Sequence, residues 1–281
     1  MLHRDRVYML AADHRWQWEE WCDARGIPRA RISAAKELAR QAFVLARERS
    51  AAAREYGSLL LDEQYASASI ARAVGDGIEV GTPAERAAVF PLAWATDPFW
   101  RALTGQFVKV LVRHRGDHPA DVREAQLLKL LALQHWCRSA GKPLVVEVLV
   151  PRADEPEDAF DASDRPAMLA SFIGDCYRRG LTPEFWKIEG TPASDGAEVV
   201  DAAIRERPAS RQIILGKAAD LATIRRWFAI ARHCPTASGF AIGRSVFWSP
   251  STDFLTGTLA ESEAVDRICA TYLDLIAVWE G

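Results

Sequence analysis

Eight short apolar runs recur along the chain, and helical patterns separate most of them. The runs occupy residues 6–13, 57–64, 77–83, 107–114, 143–151, 184–190, 211–218 and 238–245. A run such as "PLVVEVLVP" is apolar on both faces, which is typical of a parallel sheet covered by helices. A last helix is indicated over roughly 261–279 by apolar residues at helical spacing. The pattern therefore predicts an α/β fold with parallel strands.

The number of runs distinguishes two α/β architectures. Eight βα units fit a (β/α)8 barrel, which typically needs about 250 residues; this chain has 281. The alternative is a doubly wound open sheet, which usually carries a glycine-rich turn after its first strand. The corresponding segment here, "AADHRWQ", contains no glycine. We therefore predict a TIM barrel that forms a single domain over residues 1–281.

Composition and charge exclude several classes of protein. The formal net charge of −3 gives no electrostatic reason to bind nucleic acid or an anionic membrane. The five cysteines are scattered, with no CxxC pair, which argues against a disulfide framework or a zinc cluster. No stretch approaches the roughly 20 apolar residues of a membrane span, and the N-terminal apolar run is too short for a signal peptide. We expect a cytoplasmic protein that binds a small molecule; a homo-oligomer is left open, because the final helix suits either a subunit interface or the core.

Three ionisable residues lie inside predicted strands. Lys109, Glu147 and Lys187 interrupt the fourth, fifth and sixth runs, although an unpaired buried charge is costly. Burial and a nearby cation both lower the pKa of a lysine, and a neutral amine can attack a carbonyl to form a Schiff base. One lysine would be the nucleophile and the other the neighbouring cation, with Glu147 as general acid and base. The alternative is a Lys–Glu ion pair that only fills the barrel.

The seventh and eighth runs end in residues suited to phosphate. Gly243 and Arg244 lie at the end of the eighth run, where the glycine would let the backbone approach a ligand, and Gly216 and Lys217 end the seventh. Barrels often bind phosphate at the loops after these two strands, and an arginine offers a bidentate fork to it. We expect Lys217 to face solvent or phosphate rather than to act as the nucleophile.

Six motifs in order resemble one family of enzymes. They are "MLAADHR", "LLLDEQYA", "VKVLV", "VVEVLVP", "FWKIEG" and "GFAIGRSVFW". Together they resemble the class I aldolases related to tagatose-1,6-bisphosphate aldolase, and most of all the domain fused behind 5-dehydro-2-deoxygluconokinase in bacterial inositol catabolism. The resemblance covers nearly the whole chain and implies a (β/α)8 barrel that uses a Schiff-base lysine, with no metal and no other cofactor.

The resemblance also implies roles for individual residues. Lys187 falls on the Schiff-base lysine, Lys109 on a second active-site amine and Glu147 on the acid/base. The Asp13-His14-Arg15 motif is expected to contact substrate hydroxyls or to position the amines, so that Asp13 belongs to the catalytic group. Gly243-Arg244 falls on a phosphate-binding motif.

The resemblance further implies a substrate, 2-deoxy-5-keto-gluconate 6-phosphate, cleaved to malonate semialdehyde and dihydroxyacetone phosphate. The basic segment "RHRGDH" departs from the relatives; Arg113 and His114 either bind a second anionic group or belong to a solvated loop. Three alternatives remain open: an aldolase for another ketose phosphate such as tagatose bisphosphate or a sulfonated sugar phosphate, a non-catalytic barrel that binds sugar phosphates, and a metal-dependent lyase or isomerase. The last would need several histidines at strand ends, where only His14 and His114 lie.

Overall fold

The computed structural model describes residues 2–95 and 103–281, and its centre is a closed parallel barrel. Neighbouring strands pair in sequence order, and the last pairs with the first. The strands are β1 (Val7–Ala12), β2 (Gly57–Leu61), β3 (Val80–Pro83), β4 (Phe107–Arg113), β5 (Leu144–Leu149), β6 (Phe185–Glu189), β7 (Arg211–Leu215) and β8 (Ala237–Ile242). The single-domain (β/α)8 barrel is confirmed, and each predicted run overlaps one strand. Because β8 pairs with β1, the sheet has no edge, and the open-sheet alternative is excluded.

Helices surround this barrel. Those of the described ranges are α1 (Trp16–Asp23), α2 (Ile32–Arg49), α3 (Ala51–Tyr56), α4 (Glu63–Gly75), α5 (Ala120–Ser139), α6 (Glu157–Ala159), α7 (Arg165–Arg178), α8 (Ser194–Arg205), α9 (Leu221–Ala231), α10 (Arg244–Leu255) and α11 (Glu261–Glu280). A 3₁₀ turn precedes α2, and a π-helical turn precedes α7. Within the described ranges, no helix combines the length and the apolar character needed to cross a membrane.

Two apolar clusters hold the fold together. The larger lies between the strands and the helices. The smaller fills the barrel interior and consists of Val7, Met9, Ala11, Leu60, Phe107, Val145, Phe185, Ile213 and Ala241. Successive residues of a strand alternate between the two faces of the sheet. Lys109, Glu147 and Lys187 each follow a member of the interior cluster by two positions, so all three point into the barrel above the apolar layer.

Candidate active site

A pocket of about 890 Å³ opens at the C-terminal end of the barrel. Of the residues that the sequence nominates, His114 alone is not part of its lining. The pocket brings together Asp13, His14, Arg15, Lys109, Arg113, Glu147, Lys187, Gly216, Gly243 and Arg244. These residues come from strand ends that are far apart in the sequence, as expected for a barrel whose functional groups collect at this face.

Lys109 is buried among three carboxylates. Its Nζ lies 2.8 Å from Asp13 Oδ2, 3.0 Å from Glu85 Oε1 and 2.9 Å from Glu147 Oε2. Burial by itself lowers the pKa of this amine, but the charges of Asp13, Glu147 and Glu85 outweigh burial and raise the pKa well above its ordinary value. Lys109 is therefore a fixed ammonium at neutral pH.

Lys187 has a different environment on the same wall of the barrel. Its Nζ donates to Glu147 Oε2 at 3.1 Å, and Glu147 stands directly opposite it in the β5–β6 register. Within residues 2–95 and 103–281, this carboxylate is its one ion-pair partner. The amine is also buried and lines the pocket. Lys187 is thus the lysine whose nitrogen a ligand can reach without displacing several counter-ions.

Two of the carboxylates are held ionised. Burial alone would raise the pKa of Glu147, but the charges of Lys109 and Lys187 outweigh it and lower the pKa below its ordinary value. The same balance places the pKa of Asp13 well below its ordinary value. Both side chains are therefore proton acceptors at neutral pH. In the described part of the chain, no group of three or more His, Cys, Asp and Glu side chains is arranged to hold a metal ion.

Glu85 is a site residue that the sequence interpretation missed. It is buried and lies two residues beyond β3. Its Oε1 binds Lys109 and accepts from Arg15 at 3.1 Å, and its Oε2 accepts from the Leu111 amide at 3.0 Å. Glu85 therefore connects the ends of β1, β3 and β4. Its position just after the third apolar run was the available signal.

Lys36 is a second residue that the sequence interpretation missed, and it forms hydrogen bonds with the backbone at the end of β1. It lies on α2, is 1% exposed, and donates to the carbonyl oxygens of Ala12 and His14. Its charge is balanced by Asp62, with Nζ and Oδ2 2.5 Å apart. Because these two carbonyls flank Asp13, Lys36 orients the peptide that presents the Asp13 carboxylate.

His14 lines the pocket as a neutral imidazole. Burial lowers its pKa well below the ordinary value, and this outweighs the opposing charge of Asp13. Its Nδ1 is buried and has no hydrogen-bond partner in the described part of the chain. A ligand group in the pocket can supply that partner.

The predicted phosphate residues surround the start of α10. Gly243 precedes this helix, and a Cβ there would lie 2.1 Å from Ala11 O. Close contact with β1 therefore requires the glycine, whereas the sequence suggested access for a ligand. Arg244 lines the pocket, its Nε is buried without a partner among the described residues, and burial lowers its pKa. Lys217, beside Gly216, points at Glu189 with Nζ and Oε2 2.7 Å apart.

The basic segment 113–118 divides between different environments. Arg113 reaches the pocket, whereas His114 is buried against Phe172, with ring centroids 4.2 Å apart. Burial, together with nearby His118, lowers the pKa of His114 to about 4. Arg115 forms ion pairs with Asp117 and Glu155. Arg113 is therefore the part of this segment that a ligand in the pocket can reach, whereas His114 and Arg115 are held by other groups of the protein.

Comparison with solved structures finds the same fold at low sequence identity. The protein Cgl0159 from Corynebacterium glutamicum is 16% identical, with a TM-score of 0.60 over 96% of this chain and 88% of that one. A fructose-bisphosphate aldolase from Slackia heliotrinireducens is 16% identical, with a TM-score of 0.59 over 99% and 86%. A Schiff-base-forming fructose-1,6-bisphosphate aldolase is 15% identical, with a TM-score of 0.54 over 97% and 95%. These likenesses establish the barrel fold.

Comparison with curated proteins finds no match. A family model does match, over residues 2–281, and it describes uncharacterized proteins conserved in bacteria, DUF2090. The match spans the whole barrel and every residue of the pocket, and the chain belongs to this family.

Proposed function

We propose that this protein is a class I aldolase that cleaves a phosphorylated keto-sugar acid through a Schiff base on Lys187. The observation that carries the proposal is one carboxylate between two buried amines: Glu147 Oε2 lies 2.9 Å from Lys109 Nζ and 3.1 Å from Lys187 Nζ. Lys109 is held as a cation by three carboxylates, which leaves Lys187 as the nucleophile. Glu147 is within reach to move protons to and from the reacting groups.

The proposed reaction begins with attack of the Lys187 nitrogen on the substrate ketone. Glu147 takes a proton from the Lys187 amine as the nitrogen attacks, and the ketone becomes a carbinolamine. Glu147 then returns this proton to the carbinolamine hydroxyl group, which leaves as water, and an iminium ion forms. Asp13 and Lys109 remain a carboxylate and an ammonium next to the reacting groups during this step. The iminium nitrogen then serves as the acceptor of electrons in bond cleavage.

Carbon–carbon cleavage follows from the iminium ion. A carboxylate, proposed to be Glu147, takes the proton of the hydroxyl group β to the iminium carbon, and the bond between the α and β carbons breaks. The β carbon leaves as an aldehyde, and the electron pair of the broken bond forms an enamine with Lys187. Protonation of the enamine carbon and hydrolysis release the ketone product and regenerate the amine.

The charge of the pocket supports an anionic substrate. Its lining carries seven lysine and arginine side chains but three acidic ones, although the chain as a whole has a net charge of −3. Gly216, Gly243 and Arg244 would hold a phosphate group at the start of α10, where backbone N–H groups and the helix dipole favour an anion. Asp13, His14 and Arg15 would contact the substrate hydroxyls.

The substrate that we propose is 2-deoxy-5-keto-gluconate 6-phosphate, which would give malonate semialdehyde and dihydroxyacetone phosphate. The support is the resemblance of the six motifs to the inositol-catabolism domain, together with the fold shared with fructose-bisphosphate aldolases. The chemistry needs no cofactor, and such a substrate suits a cytoplasmic enzyme. A panel that includes tagatose 1,6-bisphosphate and fructose 1,6-bisphosphate tests this choice, and preferential cleavage of either one would overturn it.

Borohydride trapping tests the aldolase chemistry itself. The protein is incubated with dihydroxyacetone phosphate, reduced, digested and mapped by mass spectrometry. We expect a reduced adduct on Lys187. An adduct on Lys109 or Lys217 would keep the chemistry and reassign the nucleophile. Binding of dihydroxyacetone phosphate with no adduct would instead support a barrel that binds sugar phosphates without turnover.

A further inference from the structure

Three arginines of the pocket have no protein partner in the described part of the chain. Arg86, Arg113 and Arg244 all line the pocket, and no side-chain hydrogen bond or ion pair joins any of them to residues 2–95 or 103–281. By contrast, Arg15 in the same pocket is paired with Glu85 at 3.1 Å. Arg113 and Arg244 are half-buried. A partly buried guanidinium without a counter-ion is costly unless a ligand supplies the anion.

The order of strands in the barrel separates two of these arginines. Arg113 ends β4, and Arg244 directly follows Gly243 after β8. In a closed ring of eight strands, β4 and β8 are four strands apart in either direction. Arg113 and Arg244 therefore stand on opposite walls. Lys187, on β6, is two strands from each and lies between them.

We propose that the pocket recognises a ligand with two anionic ends: a phosphate at Gly243–Arg244 and a carboxylate at Arg113, with the more exposed Arg86 beside it. The orientation of the ligand rests on the proposed function, because the ketone carbon must reach Lys187 while the phosphate of the ligand lies at Arg244. The carboxylate is then on the aldehyde fragment. Arg113 is the residue that selects this fragment, because its planar fork matches a carboxylate in a bidentate arrangement.

A matched pair of ligands tests the second anion site without catalysis. 6-Phosphogluconate and sorbitol 6-phosphate are both open six-carbon chains with a phosphate at carbon 6. They differ in that the first ends in a carboxylate and the second in a neutral hydroxymethyl group. Neither has a ketone, so neither can form a Schiff base. By titration calorimetry, we expect wild-type protein to bind 6-phosphogluconate at least about tenfold more tightly, a difference of about 1.4 kcal/mol.

Variants assign this preference to residues. Arg113→Gln should remove the difference between the two ligands, and Arg113→Lys should keep part of it, because the charge remains but the fork is lost. Arg244→Gln should weaken both ligands by a similar factor. Arg47→Gln is the matched control, since Arg47 is half-buried on α2, outside the pocket, and has no side-chain partner in the described ranges; it should leave both affinities unchanged. Circular dichroism checks that each variant is folded.

Several outcomes would overturn the second site. They are equal affinity of the two ligands for the wild-type protein, no binding of either, or a preference that persists in Arg113→Gln. If a hexitol 1,6-bisphosphate binds more tightly than 6-phosphogluconate and this difference depends on Arg113, the anion at Arg113 is a second phosphate and not a carboxylate. If borohydride traps an adduct on a lysine but the wild-type protein does not prefer 6-phosphogluconate, the second anion site is wrong and the aldolase proposal stands. If the protein prefers 6-phosphogluconate but no adduct forms, the second anion site stands and the aldolase proposal is wrong.

Discussion

Lys109 and Lys187 share one carboxylate oxygen, Glu147 Oε2, at 2.9 and 3.1 Å. The two amines differ in what else surrounds them. Lys109 also contacts Asp13 and Glu85, so three carboxylates keep it protonated. Among residues 2–95 and 103–281, Glu147 is the one carboxylate with which Lys187 forms an ion pair. This asymmetry is the reason that we propose separate roles for two chemically identical side chains.

Replacement of Lys187 tests the division of roles between the lysines. We expect Lys187→Met to lose the borohydride-reducible adduct and to reduce aldol cleavage by several orders of magnitude, because no Schiff base forms. Lys217→Met removes another pocket lysine and should still give the adduct on Lys187. An adduct that persists in Lys187→Met at another lysine would contradict the assignment. Trapping with dihydroxyacetone phosphate and peptide mapping is the measurement.

Glu147→Gln removes the proposed acid/base but keeps the shape of the side chain. We expect kcat to fall by a factor on the order of 10²–10⁴, as for the loss of a general acid/base. Because the pKa of Glu147 lies below its ordinary value, the wild-type carboxylate protonates only as the pH falls below the usual glutamate range. The acidic limb of the rate profile attributed to Glu147 should therefore lie at low pH and disappear in the variant. A variant with full kcat would refute the role.

Asp13 links stability to acidic pH. Its folded-state pKa lies well below the ordinary value of 3.8, so the unfolded chain binds the proton more readily. The contribution of Asp13 to the free energy of unfolding is fully present above the pKa that Asp13 has in the unfolded chain. It is lost as the pH falls toward and through the pKa of the folded state, by up to about 1.4 kcal/mol per pH unit. Urea unfolding at pH 5 and pH 3 should show a smaller loss of stability for Asp13→Asn than for the wild type. Equal losses would count against this linkage.

Glu85→Gln tests the residue that connects three strand ends. The change leaves Arg15 and Lys109 with less negative charge around them, and breaking a buried ion pair in this way costs about 3 kcal/mol. We expect a lower free energy of unfolding by urea denaturation and a lower kcat. Glu124→Gln is the control, since its pair with Arg179 is on the surface and should change stability little. Similar stability of both variants would argue against the role of Glu85.

Variants of Lys36 test whether this residue positions Asp13 for the reaction or only stabilises the fold. We expect Lys36→Met to lower stability by about 3 kcal/mol, because Asp62 is left as a buried unpaired charge. Asp62 also caps α4, because its side chain accepts from the Tyr65 amide. The double variant Lys36→Met/Asp62→Asn removes the unpaired charge and should recover much of this stability, since an asparagine can serve as the same cap. Its kcat should stay low, because the Ala12 and His14 carbonyls still lack their donor. Recovery of both stability and kcat would show that Lys36 is structural only.

The local sequence pattern was enough to predict the barrel and the central residues of its pocket. Lys109, Glu147 and Lys187 stand out because a charged side chain inside an apolar strand is costly and rare. Glu85 does not stand out, because it lies in a connection, where charged residues are common. Lys36 does not either, because α2 has the polar and apolar pattern of a surface helix, and only its packing under β1 buries the amine.

The sequence by itself determined which residues share one face of a strand, since the two-residue alternation of a strand is a local property that needs only the position of the strand. It left open which face points into the barrel. The tertiary structure decided which of these residues meet. Asp13, Glu85 and Lys109 converge because β1, β3 and β4 take fixed positions in a closed ring. Arg113 and Arg244 oppose each other for the same reason. Distances between strands depend on closure and register, which no single stretch of sequence contains.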